Sequence, residues 1–247
     1  MRVTVLGGVG AHPTARQGCG GYLIEHADAR VLVDPGYATF PQLLARTPVD
    51  GIDAVYVSHG HPDHCADLQP LLRARALADP PRPPLPVHAP PGSLDRLLAI
   101  DDPGLIDQAY ELHEFRPGAE FEIGPLRVAT RLLPHFVPNA GARFSADGTV
   151  VAYTGDTGPS DGLVELARDA DLLIAEATYP EVVNPRRAGN LSTAAEVGAY
   201  AARAGARRVL LTHLWPGTDP AAATAAARRG YDGALTVATP GLVIDLS

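Results

Sequence analysis

Lysine is missing altogether: all 20 lysine-or-arginine positions in this 247-residue chain are arginine. Without a lysine amine there is no Walker A lysine, no Schiff base and no Ser-x-x-Lys acylation machinery. Cysteine is nearly absent too. Two residues, Cys19 and Cys65, can build neither a disulfide framework nor a zinc site of four thiolates. No apolar run approaches the ~20 residues that cross a bilayer. The opening MRVTVLGGVG lacks the apolar core and small-residue cleavage site of a signal peptide. Positive charge is in deficit, 20 bases against 28 acids for a formal charge of −8. That balance argues against a large nucleic acid or a membrane surface as partner. Together these absences lead us to expect a soluble, cytoplasmic protein of a reducing compartment.

What the chain has is apolar: 46% of its residues are hydrophobic, enough for a substantial core. Glycine (25) and proline (24) make up about a fifth of it, below the level typical of disorder. Strand-length apolar runs recur at Val3–Leu6, Tyr22–Glu25, Arg30–Val33, Ala54–Val57 and Leu85–His88. They recur again at Leu126–Arg131, Val150–Thr154, Leu172–Ala175, Val209–Thr212, Leu235–Val237 and Leu242–Asp245. Helices are expected at Leu68–Leu77, Ser160–Arg168, Thr193–Ala204 and Ala221–Arg229, with Ser160 and Ser192 near the N-cap positions. Before about residue 125 the pattern is hairpin-like pairs and one strand–helix unit; after it, strands are followed by helices. That order predicts two sheets packed face to face with helices outside, a four-layer αββα sandwich of the α/β class. The Pro-dense stretch 78–91 reads as a stiff surface connection, so the expectation is one domain over residues 1–247.

Nine histidines invite a search for metal spacing. The segment Val55-Tyr-Val-Ser-His59-Gly-His61-Pro-Asp63-His64 carries a strand into three histidines and an aspartate, with a helix after them. Residues two apart on extended chain point the same way, so His59 and His61 can share one metal. Asp63 and His64 sit where the chain turns into the helix and can face the same cavity. Zinc takes imidazole at ~2.0–2.1 Å, with carboxylate as the complement. Four donors so close together suggest two adjacent ions. Further donors follow apolar strands directly: His135, Asp156 and His213. Asp156 is the candidate bridge between the ions. His59, His61 and His135 would complete one site, and Asp63, His64 and His213 the other. Two ions ~3.5–4 Å apart trap a hydroxide and clamp attacking and leaving oxygens.

The ordered set His59-x-His61-x-Asp63-His64, His135, Asp156, His213 resembles the metallo-β-lactamase superfamily over nearly the whole chain. The resemblance implies the αββα sandwich and a dinuclear hydrolase centre, usually of zinc, with Mn2+ or iron as alternatives. Aspartate in place of cysteine at the third site resembles the phosphoester hydrolases more than the antibiotic-degrading enzymes. The opening LGGVGAHPTARQGCGGYLIE, the VLVDPG at Val31–Gly36 and the LLIAEATYP at Leu172–Pro180 resemble the ribonuclease Z-like branch. That branch holds tRNA 3′-processing endonucleases and small cyclic phosphodiesterases. Two positions depart from it. Ala175 stands where the endonucleases carry a histidine before Glu-Ala-Thr. Asn190 stands where relatives often carry one near the scissile phosphate; asparagine can hydrogen-bond an oxygen but cannot be a general acid. Only 21 positions separate His135 from Asp156, and no basic arm is present, so tRNA processing is not expected.

The resulting expectation is a dinuclear hydrolase of a small anionic phosphodiester, cyclic-nucleotide-like. Asp63 holds one ion and orients the nucleophile; Asn190 and His12 are the candidate substrate contacts. The resemblance leans towards a homodimer. Lactone or other ester hydrolysis on the same site is an alternative, as is a ligand-sensing module that has lost catalysis, suggested by Ala175 and Asn190. Gly7-Gly8-Val9-Gly10 reads as a tight turn, because Pro13 breaks the dinucleotide fingerprint. Asp34 reads as a turn cap or a partner of the ligands, Glu176 as a strand-end acid or a buttress, and Cys65 as packing. His26, His88 and His113 read as surface side chains, and Arg186-Arg187 as a solvated loop pair.

Overall fold

In the computed structural model, which describes residues 1–246, the chain opens as an antiparallel meander. Its strands are β1 (Arg2–Gly7), β2 (Gly21–His26) and β3 (Ala29–Val33). β4 (Ala54–Tyr56), β5 (Leu85–Ala89) and β6 (Tyr110–Glu114) add in parallel. A second sheet begins antiparallel with β7 (Glu120–Ile123), β8 (Leu126–Leu133), β9 (Asn139–Ala146) and β10 (Thr149–Tyr153). It continues in parallel through β11 (Leu172–Glu176), β12 (Arg208–Thr212) and β13 (Ala234–Val237). Finally β14 (Val243–Asp245) returns to pair with β1. The sheets therefore run β14-β1-β2-β3-β4-β5-β6 and β13-β12-β11-β10-β9-β8-β7.

Alternation explains why these strands read as unbroken apolar runs. Val31 and Val33 of β3 face the other sheet, while Leu32 between them joins the layer under α1 (Phe40–Leu44), α2 (Pro62–Cys65), α3 (Leu68–Ala76) and α4 (Asp95–Leu98). In β11, Leu172 and Ile174 face inward, while Leu173 and Ala175 join the layer under α5 (Asp161–Leu166), α6 (Ala194–Ala204) and α7 (Pro220–Arg228). A strand covered on both faces needs apolar residues at every position. Aromatic rings lock the sheets together: Tyr56 of β4 meets Phe144 of β9 edge-on at 5.4 Å. The expected αββα sandwich is what forms. Among the described residues no helix is long and apolar enough to cross a membrane.

Three strands escape the apolar pattern. β6 (Tyr-Glu-Leu-His-Glu) and β7 (Glu-Phe-Glu-Ile) are sheet edges that alternate polar residues, and β9 turns the small Ala140 and Ala142 inward. α1, α2 and α4 have five residues or fewer, too short to show a helical period. At α6 the cap is Thr193, which exchanges hydrogen bonds with Glu196 in a capping box. Ser192 instead donates to the Thr157 carbonyl at 2.6 Å. His88 is also a correction. Its ring stacks on Phe121 and on His113, both at 4.9 Å, and burial, then His113, pushes its pKa down to about 4. Topology then sets the site: β3, β4, β8, β10, β11 and β12 all end at one rim of the sandwich, where α/β folds collect functional groups.

Candidate metal centre

The seven donors named from sequence converge on that rim. One group is His59, His61, His135 and Asp156; the other is Asp63, His64, Asp156 and His213. Within each group every donor atom lies within 4.8 Å of the others, and Asp156 belongs to both. In the first, His61 Nδ1 is 3.1 Å from His59 Nε2 and 3.0 Å from His135 Nε2. In the second, His213 Nε2 is 3.1 Å from Asp63 Oδ2 and 3.3 Å from Asp156 Oδ2. His64 Nε2 is 3.1 Å from Asp156 Oδ1.

Hydrogen bonds on the outer side of the rings fix which nitrogen faces the centre. His64 Nδ1–H donates to Asp34 (2.7 Å) and His135 Nδ1–H to the Asn190 carbonyl (2.9 Å). The other two use a hydroxyl as intermediary. Ser58 Oγ donates to Asp34 at 2.5 Å, so it accepts from His59 Nδ1–H at 3.0 Å. Thr178 Oγ1 donates to Glu176 at 2.8 Å, so it accepts from His213 Nδ1–H at 2.9 Å. Four Nε2 atoms are thereby left with lone pairs aimed inward, the arrangement that metal-ligating imidazoles adopt.

Two of those lone pairs, on His64 and His213, face carboxylate oxygens within 3.3 Å, a contact that repels unless a proton or a metal ion lies between them. His64 Nε2 and Asp156 Oδ1 are buried with no hydrogen-bond partner, although they sit 3.1 Å apart. Donors on a tetrahedral ion at ~2.0–2.1 Å stand roughly 3.3 Å from one another; the shortest spacings here, 3.0–3.3 Å, match that, while His64–Asp63 and His135–Asp156 stand wider at 3.8 Å. The electrostatics agree. Burial opposes a charge on His64, but Asp156 and Asp63 outweigh it and hold its pKa well above the usual imidazole range. Burial likewise opposes ionisation of Asp156, yet His213 and His64 hold it well below the usual carboxylate range. For His59, burial and then the His64 charge push the pKa well down, which keeps that ring neutral. The pocket is short of positive charge, and the donor set fits divalent ions.

Residues that sequence reasoning weighed lightly carry the frame. Asp34 is fully buried in the left-handed region (φ 45°) and accepts from Ser58 N–H, Ser58 Oγ, His64 and Tyr153 OH. Such strain in a non-glycine residue is typical of a functional site. Glu176 accepts from the backbone of Thr157, Thr178 and Ser192 as well as from the Thr178 hydroxyl. Ser58, Tyr153 and Thr178 carry no signal of their own in the sequence; only their places beside His59, Asp156 and Glu176 mark them. Asn190 is at the centre through its backbone carbonyl, while its side chain reaches towards the Ala188 carbonyl. His12 is exposed on the loop whose Ala11 N–H donates to Asp63 Oδ2 at 2.8 Å. Ala175 sits in the apolar cluster between sheet and helices, so the alanine leaves no gap at the centre. Cys65 is packing, its thiol donating to the His61 carbonyl.

Fold and site define a metallo-β-lactamase-fold hydrolase with a centre built for divalent ions. The β-lactamase superfamily domain matches residues 29–214, most of the chain, and the chain belongs to that superfamily. YhfI of Bacillus subtilis, a probable metallo-hydrolase, is 30% identical over 221 residues, 87% of each chain. The YhfI crystal structure superposes with a TM-score of 0.90 at 28% identity, covering 99% of both chains. A ribonuclease Z of Kineococcus radiotolerans is 30% identical over 91% of this chain and 88% of its own. Zn2+-bound PqqB from Methylobacterium extorquens shares the fold over the whole of both chains, with a TM-score of 0.78 at 19% identity.

Proposed function

We propose that the centre holds two divalent ions, zinc by preference, and hydrolyses a small phosphodiester. The observation that carries this is the pair of donor quartets sharing Asp156, all imidazole and carboxylate. His59, His61 and His135 would hold one ion and Asp63, His64 and His213 the other, with Asp156 within reach of both. When bound, two such ions bring the pKa of water towards ~7 and offset charge on the phosphate oxygens. Hydrolysis joins the water oxygen to phosphorus, breaks one P–O ester bond and returns a proton to the leaving oxygen. The products are a phosphomonoester and an alcohol. Asp63, steadied by the Ala11 N–H, orients the nucleophile. Asn190 cannot protonate the leaving group, so that proton comes from solvent, which favours substrates with a good leaving group. The name of the ribonuclease Z relative supports phosphodiester chemistry, while the −8 charge favours a small substrate over a nucleic acid.

The test is His61→Ala. It should lose both metal, by elemental analysis, and hydrolysis of bis(p-nitrophenyl) phosphate. Undiminished turnover by a metal-free variant, or faster wild-type turnover of lactones than of any phosphodiester, would overturn the reading.

A further inference from the structure

A cavity of about 840 Å³ opens beside the centre, within the ~300–1,000 Å³ range of small-molecule pockets. His61 is the one centre imidazole in its lining, so a ligand there is within reach of the site. The rest of the wall is chiefly apolar. Cys65, Ala66 and Leu97 line it from the α2–α4 side, and Val137 and Pro138 from the segment after His135. The apolar character extends to the mouth, where Tyr37 (38% exposed) and Ile100 (67%) line the opening. Phe136 (52% exposed) stands next to Val137 and meets the His135 ring edge-on at 5.1 Å. Exposed apolar side chains gathered at a cavity mark a contact surface, whereas scattered ones do not.

The charges in the wall say what this cavity refuses. Asp67 and Asp95 oppose a single cation, Arg96. Asp67 is occupied with the Phe40 N–H at 2.7 Å, and Asp95 and Arg96 are equally exposed neighbours at the rim. No lysine exists to add to Arg96. A second phosphate or a carboxylate would lose its water here and meet a net negative wall. An uncharged, apolar group loses nothing by leaving water and gains the apolar lining.

Resting on the phosphodiesterase reading, we infer that this cavity is the specificity pocket. It takes one uncharged, apolar ester group of the substrate, aryl in kind, while the phosphate lies at His61 and the ions. The substrate is therefore a diester with a single anionic centre and an apolar aryl arm.

Calorimetric titration of the zinc-loaded full-length protein with three phosphonates tests the pocket without needing turnover. All present the same phosphorus oxygens to the ions. Phenylphosphonate should bind at least ~10-fold more tightly than methylphosphonate, equivalent to ~1.4 kcal/mol. 4-Carboxyphenylphosphonate should lose most of that gain. Ala66→Phe, which fills the cavity, should bring the phenyl-to-methyl ratio towards one. Equal affinity of the phenyl and methyl compounds, or a carboxyphenyl compound as tight as phenyl, overturns the inference. The wild-type comparison stands even if Ala66→Phe fails to fold. Absence of phosphodiester turnover alongside a strong phenyl preference would sink the proposed reaction and leave the pocket intact.

Discussion

Thr178 has no acid–base chemistry of its own at neutral pH, yet it decides which way His213 faces. Its hydroxyl accepts a hydrogen bond from His213 Nδ1–H and donates one to Glu176, and Ser58 does the same between His59 and Asp34. Each carboxylate accepts three other hydrogen bonds besides the one from its hydroxyl. Thr178→Val keeps the shape and deletes the hydroxyl, so the imidazole loses its anchor and Glu176 loses a donor. We expect a ~10–100-fold fall in metal affinity, the usual cost of deleting such a partner, with little change in circular dichroism. Competition with a chromogenic chelator measures it, and unchanged affinity would remove the relay from the account. The metal donors were legible in sequence because each stands at a strand end or in the His59–His64 cluster. The hydroxyls were not, since serine and threonine carry no spacing signature and matter here only through their geometry.

Between residue and fold lies the segment from Tyr179 to Ser192, which follows β11 and crosses the rim to reach His135. It is pinned at both ends. The Arg187 guanidinium lies 4.1 Å over the Trp215 ring and donates to Tyr179 OH, which corrects the expectation of a purely solvated arginine pair. At the other end Gly158 meets the backbone of Gly189 so closely that a Cβ at 158 would lie 2.0 Å from the Gly189 oxygen. Gly158→Ala must therefore push the segment outward and take the Asn190 carbonyl from His135. Overpacking of this kind costs about 1–3 kcal/mol. The local consequence should be a drop of at least ~10-fold in bis(p-nitrophenyl) phosphate turnover, with the Trp215 fluorescence shifted. Kinetics like the wild type's would mean that the carbonyl is not holding the ring. None of this could be read from the chain: Gly158 and Gly189 look like ordinary loop glycines, and their contact is tertiary. The same limit hid β6 and β7, whose edge positions tolerate polar residues, whereas strands covered on both faces announced themselves.

At the scale of the whole molecule the centre is a bridge between two sheets. His59, His61, Asp63 and His64 follow β4 of the first sheet; His135, Asp156 and His213 follow β8, β10 and β12 of the second. The close contacts His61–His135, His64–Asp156 and Asp63–His213 all cross from one to the other. Ions held at this seam would cross-link the halves and also offset the charges of Asp34, Asp63 and Asp156, three carboxylates buried within the same cluster. Chelation should therefore destabilise the protein as a whole. With free metal at ~1,000 times Kd, binding to the native state alone adds about 4 kcal/mol. That is the gain per ion; for a chain of this size each kcal/mol moves Tm by ~2–4 °C, so losing one ion should lower it by ~8–16 °C and losing both by ~16–32 °C. Scanning calorimetry before and after dialysis against EDTA measures the difference, and readdition of Zn2+ should restore it. His61→Ala, which lacks a full first quartet, should show a smaller EDTA shift than the wild type. An identical Tm with and without chelator would mean that the sandwich is held by its apolar layers alone, and that the seven donors meet without a metal to draw them together.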